Sequence, residues 1–180
     1  MSGNNRHLRG NTQQIRGAVH GNTVIEPGDL VCINSVSGFF GNLSANIVTA
    51  TDYLDNYLYP LSSAVSNAVK SSAYMHHIAT TFMGVALTGS ASGTTNEVVV
   101  AVDGIFRYPL LHNSAVTLGA KVSAVSTTAG TGSSNQAVMN NATIADKGTT
   151  AYLGVIVKTE SGASFVDFQL ITATSGGSIA

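Results

Sequence analysis

The apolar positions of this chain gather in short runs broken by Gly, Ser, Thr and Asn, a pattern that predicts strands and turns more than long helices. One unit occurs twice. The first copy reads Met83-Gly84-Val85-Ala86-Leu87, then Ser92-Gly93, then Glu97-Val98-Val99-Val100-Ala101-Val102. The second reads Leu153-Gly154-Val155-Ile156-Val157, then Ser161-Gly162, then Phe165-Val166-Asp167-Phe168-Gln169-Leu170. Each is a Gly-bearing apolar strand, a Ser-Gly turn and a second strand. A shorter element precedes each copy: Pro27-Gly28-Asp29-Leu30-Val31 before the first and Leu118-Gly119-Ala120-Lys121-Val122 before the second. Two related halves that each make antiparallel strands predict an all-β chain, a compact barrel-like domain with an internal pseudo-repeat.

The remaining segments fit around this unit. Pro27-Gly28-Asp29 reads as a turn and Leu30 to Ile33 as the strand after it. Phe39 and Phe40, flanked by Gly38 and Gly41, fit a bend where large rings cover the core. After Pro60, Leu61, Ala64, Val65, Ala68 and Val69 recur at helical spacing, with Ser62, Ser63, Ser66, Asn67 and Lys70 opposite. That predicts one short helix, about 61–75, within an insertion of about 57–78. Asp103-Gly104 fits a bulge or tight turn, with Ile105 to Tyr108 as the next strand. Val116 to Val125 predicts a strand pair around Leu118-Gly119. Ser126 to Gln136 reads as a loop, and Ala137 to Asp146 as a segment with one short strand. The β-domain is thus expected over 23–173, with a loose tail at 174–180.

Residues 1–22 have a different character. They carry Arg6, Arg9 and Arg16, with His7 and His20, and the first acid is Glu26. Ile15, Ala18 and Val19 are too sparse to form a core-facing stripe. A basic extended arm is expected, either a disordered tail or an arm that orders on a partner surface through its guanidinium groups.

Composition adds constraints. Charged residues make up 9% of the 180, against roughly 25% in an ordinary globular chain. The net charge of −1 and the Ser/Thr/Asn-rich polar fraction favour association, since the cores of protein interfaces are poor in charge. No apolar run reaches the roughly 18–20 residues of a membrane-spanning helix, and no apolar stretch follows the N-terminal arginines, so neither a membrane segment nor a secretory signal is expected. The single cysteine, Cys32, lies in an apolar run and reads as a buried structural thiol.

Candidate chemistry is sparse. His76 and His77 are adjacent, which points them apart and makes a shared metal awkward. Gly89-Ser90-Ala91-Ser92-Gly93 has Ala where a nucleophile elbow needs Ser. Gly130-Thr131-Gly132 lacks the third Gly of a dinucleotide loop, which Asn135 replaces. Lys147-Gly148-Thr149 has the wrong order for a phosphate loop. Asp52 and Asp55 are too few for a calcium loop, and Asn42-Leu43-Ser44 and Asn141-Ala142-Thr143 are chance sequons. No catalytic, cofactor or metal residues are expected, so the chain does not read as an enzyme. No basic-aromatic stripe marks a nucleic-acid face.

The motifs, taken in order, carry a resemblance. Pro27-Gly28-Asp29-Leu30-Val31, Ala50-Thr51-Asp52-Tyr53, Phe82-Met83-Gly84-Val85-Ala86-Leu87, Val100-Ala101-Val102-Asp103-Gly104-Ile105-Phe106, Leu118-Gly119-Ala120-Lys121-Val122 and Tyr152-Leu153-Gly154-Val155 follow one another as in the capsid cement, or head decoration, proteins of tailed bacteriophages. The chain resembles that family over most of Thr23 to Thr172. It departs from it at Ala120, where the family's second Gly-Asp has its acid, so that turn is expected to differ. The arm is longer than the family's lead-in, and the insertion is similar only to a subset.

The resemblance implies structural work in the virion. Such proteins, made in the host cytoplasm, bind the outside of an expanded phage head and bridge subunits of the major capsid protein. They do so as homotrimers or other homo-oligomers, without direct contact to nucleic acid or membrane. Arg6, Arg9 and Arg16 would then meet acidic patches on the shell or a sister subunit. Phe39, Phe40 and Tyr57 are candidate intersubunit contacts, with core burial expected for at least one Phe. A tail or fibre component and a carbohydrate-binding β-domain are the alternatives. The second is weakened by the absence of Trp.

Overall fold

The computed structural model describes residues 6–9, 12–19, 21, 23–33, 37–42, 78, 81–110, 116–126, 133–140, 152–159 and 164–172. They form strands β1 (Arg6–Arg9), β2 (Gln14–Ala18), β3 (Leu30–Ile33), β4 (Phe40–Asn42), β5 (Phe82–Ala86) and β6 (Glu97–Ala101). β7 (Ile105–Pro109), β8 (Lys121–Ser126), β9 (Ser133–Asn140), β10 (Tyr152–Lys158) and β11 (Phe165–Leu170) follow. The all-β expectation holds. The strands make two antiparallel sheets, one in the order β2-β6-β5-β3-β4 and one in the order β1-β7-β11-β10-β8-β9.

Without β1, the second order is the first with every strand number raised by five. The first half, β2–β6, and the second, β7–β11, therefore share one topology, and the pseudo-repeat extends well beyond the two hairpins legible in the sequence. Gly28 and Gly119 both take positive φ, 91° and 81°. Gly28 N donates to Ala86 O at 2.8 Å and Ala86 N to Asp29 O at 2.8 Å. Gly119 N donates to Ile156 O at 2.9 Å and Ile156 N to Ala120 O at 2.9 Å. Ala120 thus leaves the backbone of its turn unchanged, contrary to expectation, because main-chain bonds suffice to make the turn and the Asp29 carboxylate only adds side-chain bonds, to Glu26 N and to Gln136.

The close approaches repeat too. A Cβ on Gly84 would strike Ala101 O, and a Cβ on Gly154 would strike Gln169 O, so each strand needs a residue with no side chain there. Each glycine lies beside a register shift against β3 or β8. One isolated parallel bridge, Val19 to Phe40 in the first half and Leu110 to Val138 in the second, joins the outermost strands of each five-strand unit. Each half therefore curls toward a small barrel without a continuous seam, where a single barrel-like body was expected.

The cores explain why the equivalent positions of the two halves hold different residues. Val19, Val31, Phe40, Met83, Val98 and Val100 belong to a cluster inside the first half. Leu110, Val122, Val138, Leu153, Val166 and Phe168 occupy the equivalent places in the second. Gly17 stands where the second half has Tyr108, and Phe40 where it has Val138. A Cβ on Gly17 would lie 2.5 Å from the Phe40 ring. One half fills the volume from β4 and the other from β7, so neither position keeps its residue type.

The outer faces differ by design of the assembly. Leu30, Cys32, Phe82, Val85 and Ala101, on the outer face of the first half, are buried in the cluster that also holds the second half's core. Their equivalents are Lys121, Ser123, Tyr152, Val155 and Gln169, with Lys121 Nζ 4.0 Å from the centroid of the Tyr152 ring. Polar bonds fasten the junction. Tyr108 Oη donates to Gly28 O at 2.6 Å, Gln136 Nε2 to Asp29 Oδ1 at 2.9 Å, and Thr172 Oγ1 to Val102 O at 3.1 Å.

Other expectations shift. β9 begins at Ser133, inside the stretch read as a loop, and Val116 to Val125 supplies one turn and one strand instead of a strand pair. The helix expected at about 61–75 lies outside the described residues. Ile78, at the end of that insertion, is buried in the shared core.

Candidate functional site

The segment expected as an arm is divided between the two sheets. β1 pairs with β7, Arg6 opposite Arg107 and Arg9 opposite Ile105. β2 pairs with β6 through five successive residues, Gln14 to Ala18 against Ala101 to Glu97. Ile15, Ala18 and Val19 are too few for a helical stripe, but a strand needs an apolar residue only at every second position. Ile15 and Val19 supply it against the first core. Arg16 points the other way and is exposed.

The other expected contact residues separate. Phe40 is only 4% exposed and belongs to the core of the first half, so it offers nothing to a partner. Phe39 is half-buried, and its amide donates to Ser37 Oγ at 3.4 Å. Tyr57 lies outside the described residues. The side chains of Arg6 and Arg9 are likewise not described, so Arg16 is the one arm arginine whose setting is known.

That setting differs from its repeat equivalent. Arg107 occupies the same place on β7. Its Nε donates to Asp167 Oδ1 at 2.7 Å and its Nη2 to Oδ2 at 3.1 Å, a bidentate pair across β7 and β11. The Asp167 side chain is 7% exposed and that of Arg107 32%, so the pair is partly shielded from water. Opposite Arg16 stands Val99.

The buried titratable groups serve packing. Burial pushes the Cys32 thiol up to about 12, against a weaker opposing effect of its bond to Thr81. A thiol so held is protonated and unreactive at neutral pH. Burial also raises the Tyr108 hydroxyl well above its ordinary 10.0, and the nearby Asp29 charge adds to this. Asp29 closes its own turn by accepting from Glu26 N at 2.9 Å. Ser123 Oγ, at the position equivalent to Cys32, is buried with no hydrogen-bond partner among the described residues. Among the described residues no three His, Cys, Asp or Glu side chains are grouped to hold a metal ion, and no helix is long and apolar enough to cross a membrane.

The exposed features with potential for recognition are therefore surface ones. Among the described residues they include the β2 edge with Arg16 and the exposed apolar side chains of Val24, Leu118, Val157 and Phe165, of which Leu118 is 62% exposed. Compared with known protein families, curated proteins and solved structures, the chain matches none.

Proposed function

We propose that this chain is a structural capsid cement protein, which binds the outside of an expanded phage head and stabilises it by bridging major capsid protein subunits. One observation carries the reading. The motifs that make the chain resemble the cement family coincide with the turns and close approaches that build its duplicated body: Pro27-Gly28-Asp29 and Leu118-Gly119-Ala120 are equivalent turns, and Gly84 and Gly154 are equivalent contacts. The resemblance therefore rests on residues the fold requires.

The physics of the role suits the body. Two barrel-like halves, one packing its outer face into the core of the other, resist deformation, because packed interiors yield little to strain. A surface poor in charge can be covered by a partner with little desolvation cost. Modest contacts per copy add up when a homotrimer or other homo-oligomer engages several shell subunits at once, and binding only the expanded shell stabilises that state by mass action.

The test mixes purified protein with expanded, undecorated shells. The protein is expected to co-sediment with them and to raise the temperature at which they disrupt. Shells that sediment bare, or that melt unchanged when coated, would contradict the proposal.

A further inference from the structure

The second half covers its outer edge in two ways that the first half does not. Gln13 O accepts from Val102 N at 2.9 Å, and Val19 N donates to Asn96 O at 3.4 Å. In an antiparallel pair the bonded positions alternate, so residues 13, 15, 17 and 19 turn their main-chain polar groups toward β6. Gln14, Arg16 and Ala18 turn theirs outward. The second half has the same phase: Leu170 N donates to Gly104 O at 3.0 Å and Leu110 N to Ser164 O at 2.8 Å. Its outward positions are Ile105, Arg107 and Pro109.

Those positions are protected. β1 covers Ile105 and Arg107, and Pro109 has no N–H to offer. On β2 the equivalents are Gln14, Arg16 and Ala18; the Val19–Phe40 bridge brings β4 against the Ala18 end, and no described strand pairs with the outward side of Gln14 and Arg16. The β2 register against β6 runs through its five pairs without a bulge, so the edge is regular. A second observation is electrostatic. Arg107 has Asp167 across the strand, whereas Arg16 has Val99, and no described carboxylate meets the exposed Arg16.

We propose that the outer edge of β2 at Gln14 and Arg16 takes up an extended segment of another protein as an added antiparallel strand, with a carboxylate of that segment seated on Arg16. Main-chain bonds to Gln14 and Arg16 supply the docking, and the charge pair sets the register. The occupant is acidic. It is not the β1 strand of a second copy, which would bring Arg6 and Arg9 to Arg16 with no Asp167 equivalent to neutralise them. The inference goes beyond capsid decoration, since it applies to any protein partner with such a segment.

The probe is a capped peptide of about seven residues, built from Thr and Val with Glu at alternate positions, titrated into the full chain at low salt. Two comparison peptides carry Lys in place of Glu, or N-methyl groups on the ladder-facing amides. The acidic peptide is expected to bind at least ~10-fold tighter than the Lys peptide. N-methylation should abolish binding with the protein itself unaltered. Arg16→Glu, a change at an exposed position, should reverse the charge preference. Hydrogen exchange should slow at the Gln14 and Arg16 amides only when the peptide is bound. The proposal is overturned if the acidic peptide fails to bind, if binding survives N-methylation or Arg16→Glu, or if protection falls elsewhere. It is equally overturned if these amides are already protected in a self-associated free protein, because a second copy would then hold the edge.

Discussion

At the scale of single residues, burial decides more than chemistry. Cys32 and Tyr108 sit in the shared core, and their ionised forms are excluded from it. The consequence for stability has a definite sign. Below its ordinary 9.0 the Cys32 thiol is protonated whether the chain is folded or not, and its contribution is intact. As pH rises past 9.0 the unfolded thiol ionises, while the folded one resists until about 12, so stability is lost through that window. Tyr108 adds to the loss from 10.0 upward. Thermal unfolding followed from about pH 8 to about pH 10.5 should show a falling midpoint. At about pH 10 Cys32 alone should cost roughly 1 kcal/mol. Cys32→Ala should flatten the fall over that range. An unchanged slope in the variant would mean that the thiol is not buried as described. Arg16 illustrates the converse. Its exposed cation was legible in the sequence, but its place on an uncovered edge was not, because that depends on the contrast with Arg107, Asp167 and Pro109.

At the scale of elements, the repeat was legible where backbone geometry fixes the residue and illegible where volume does. Gly84 and Gly154 survive in both halves because a neighbouring carbonyl excludes any side chain, and each anchors a recognisable β-run. β2 and β7, by contrast, share a place but little sequence. Gly17 with Phe40 fills the space that Tyr108 with Val138 fills in the other half, and such paired exchanges erase any residue-by-residue likeness. The arm expectation failed to foresee β2 for a related reason. A five-residue edge strand buries few side chains, so Ile15 and Val19 gave too little pattern to register. The volume exchange can be tested by a double-mutant cycle. Gly17→Ala should cost about 2 kcal/mol in the native background, where the new methyl meets the Phe40 ring. In a Phe40→Val background the same change should cost under about 1 kcal/mol, leaving a coupling well outside the range of independent sites. Additive losses would place Gly17 away from Phe40.

At the scale of the whole molecule, the two halves share a topology but have different tasks. The outer face of the first is spent on the junction, where Leu30, Cys32, Phe82 and Val85 share a core with the second half. The matching face of the second half, with Lys121, Tyr152 and Val155, takes no part in that junction. The Asp29 carboxylate that receives Gln136 has Ala120 as its equivalent in the second half, and Tyr108, whose hydroxyl reaches Gly28, has Gly17 as its equivalent in the first. The junction is thus made once per chain and is not a repeating contact. What remains for partners among the described residues is an exterior with few charges and a β2 edge open at Gln14 and Arg16, a form suited to lying against a larger assembly.

Cryo-electron microscopy of a phage particle that carries this chain tests the proposed capsid role most directly. The two barrel-like halves should stand on the outer surface of the head, over the boundaries between shell subunits and in many copies per particle. Density for this chain confined to the tail or its fibres would contradict the assignment to the capsid exterior.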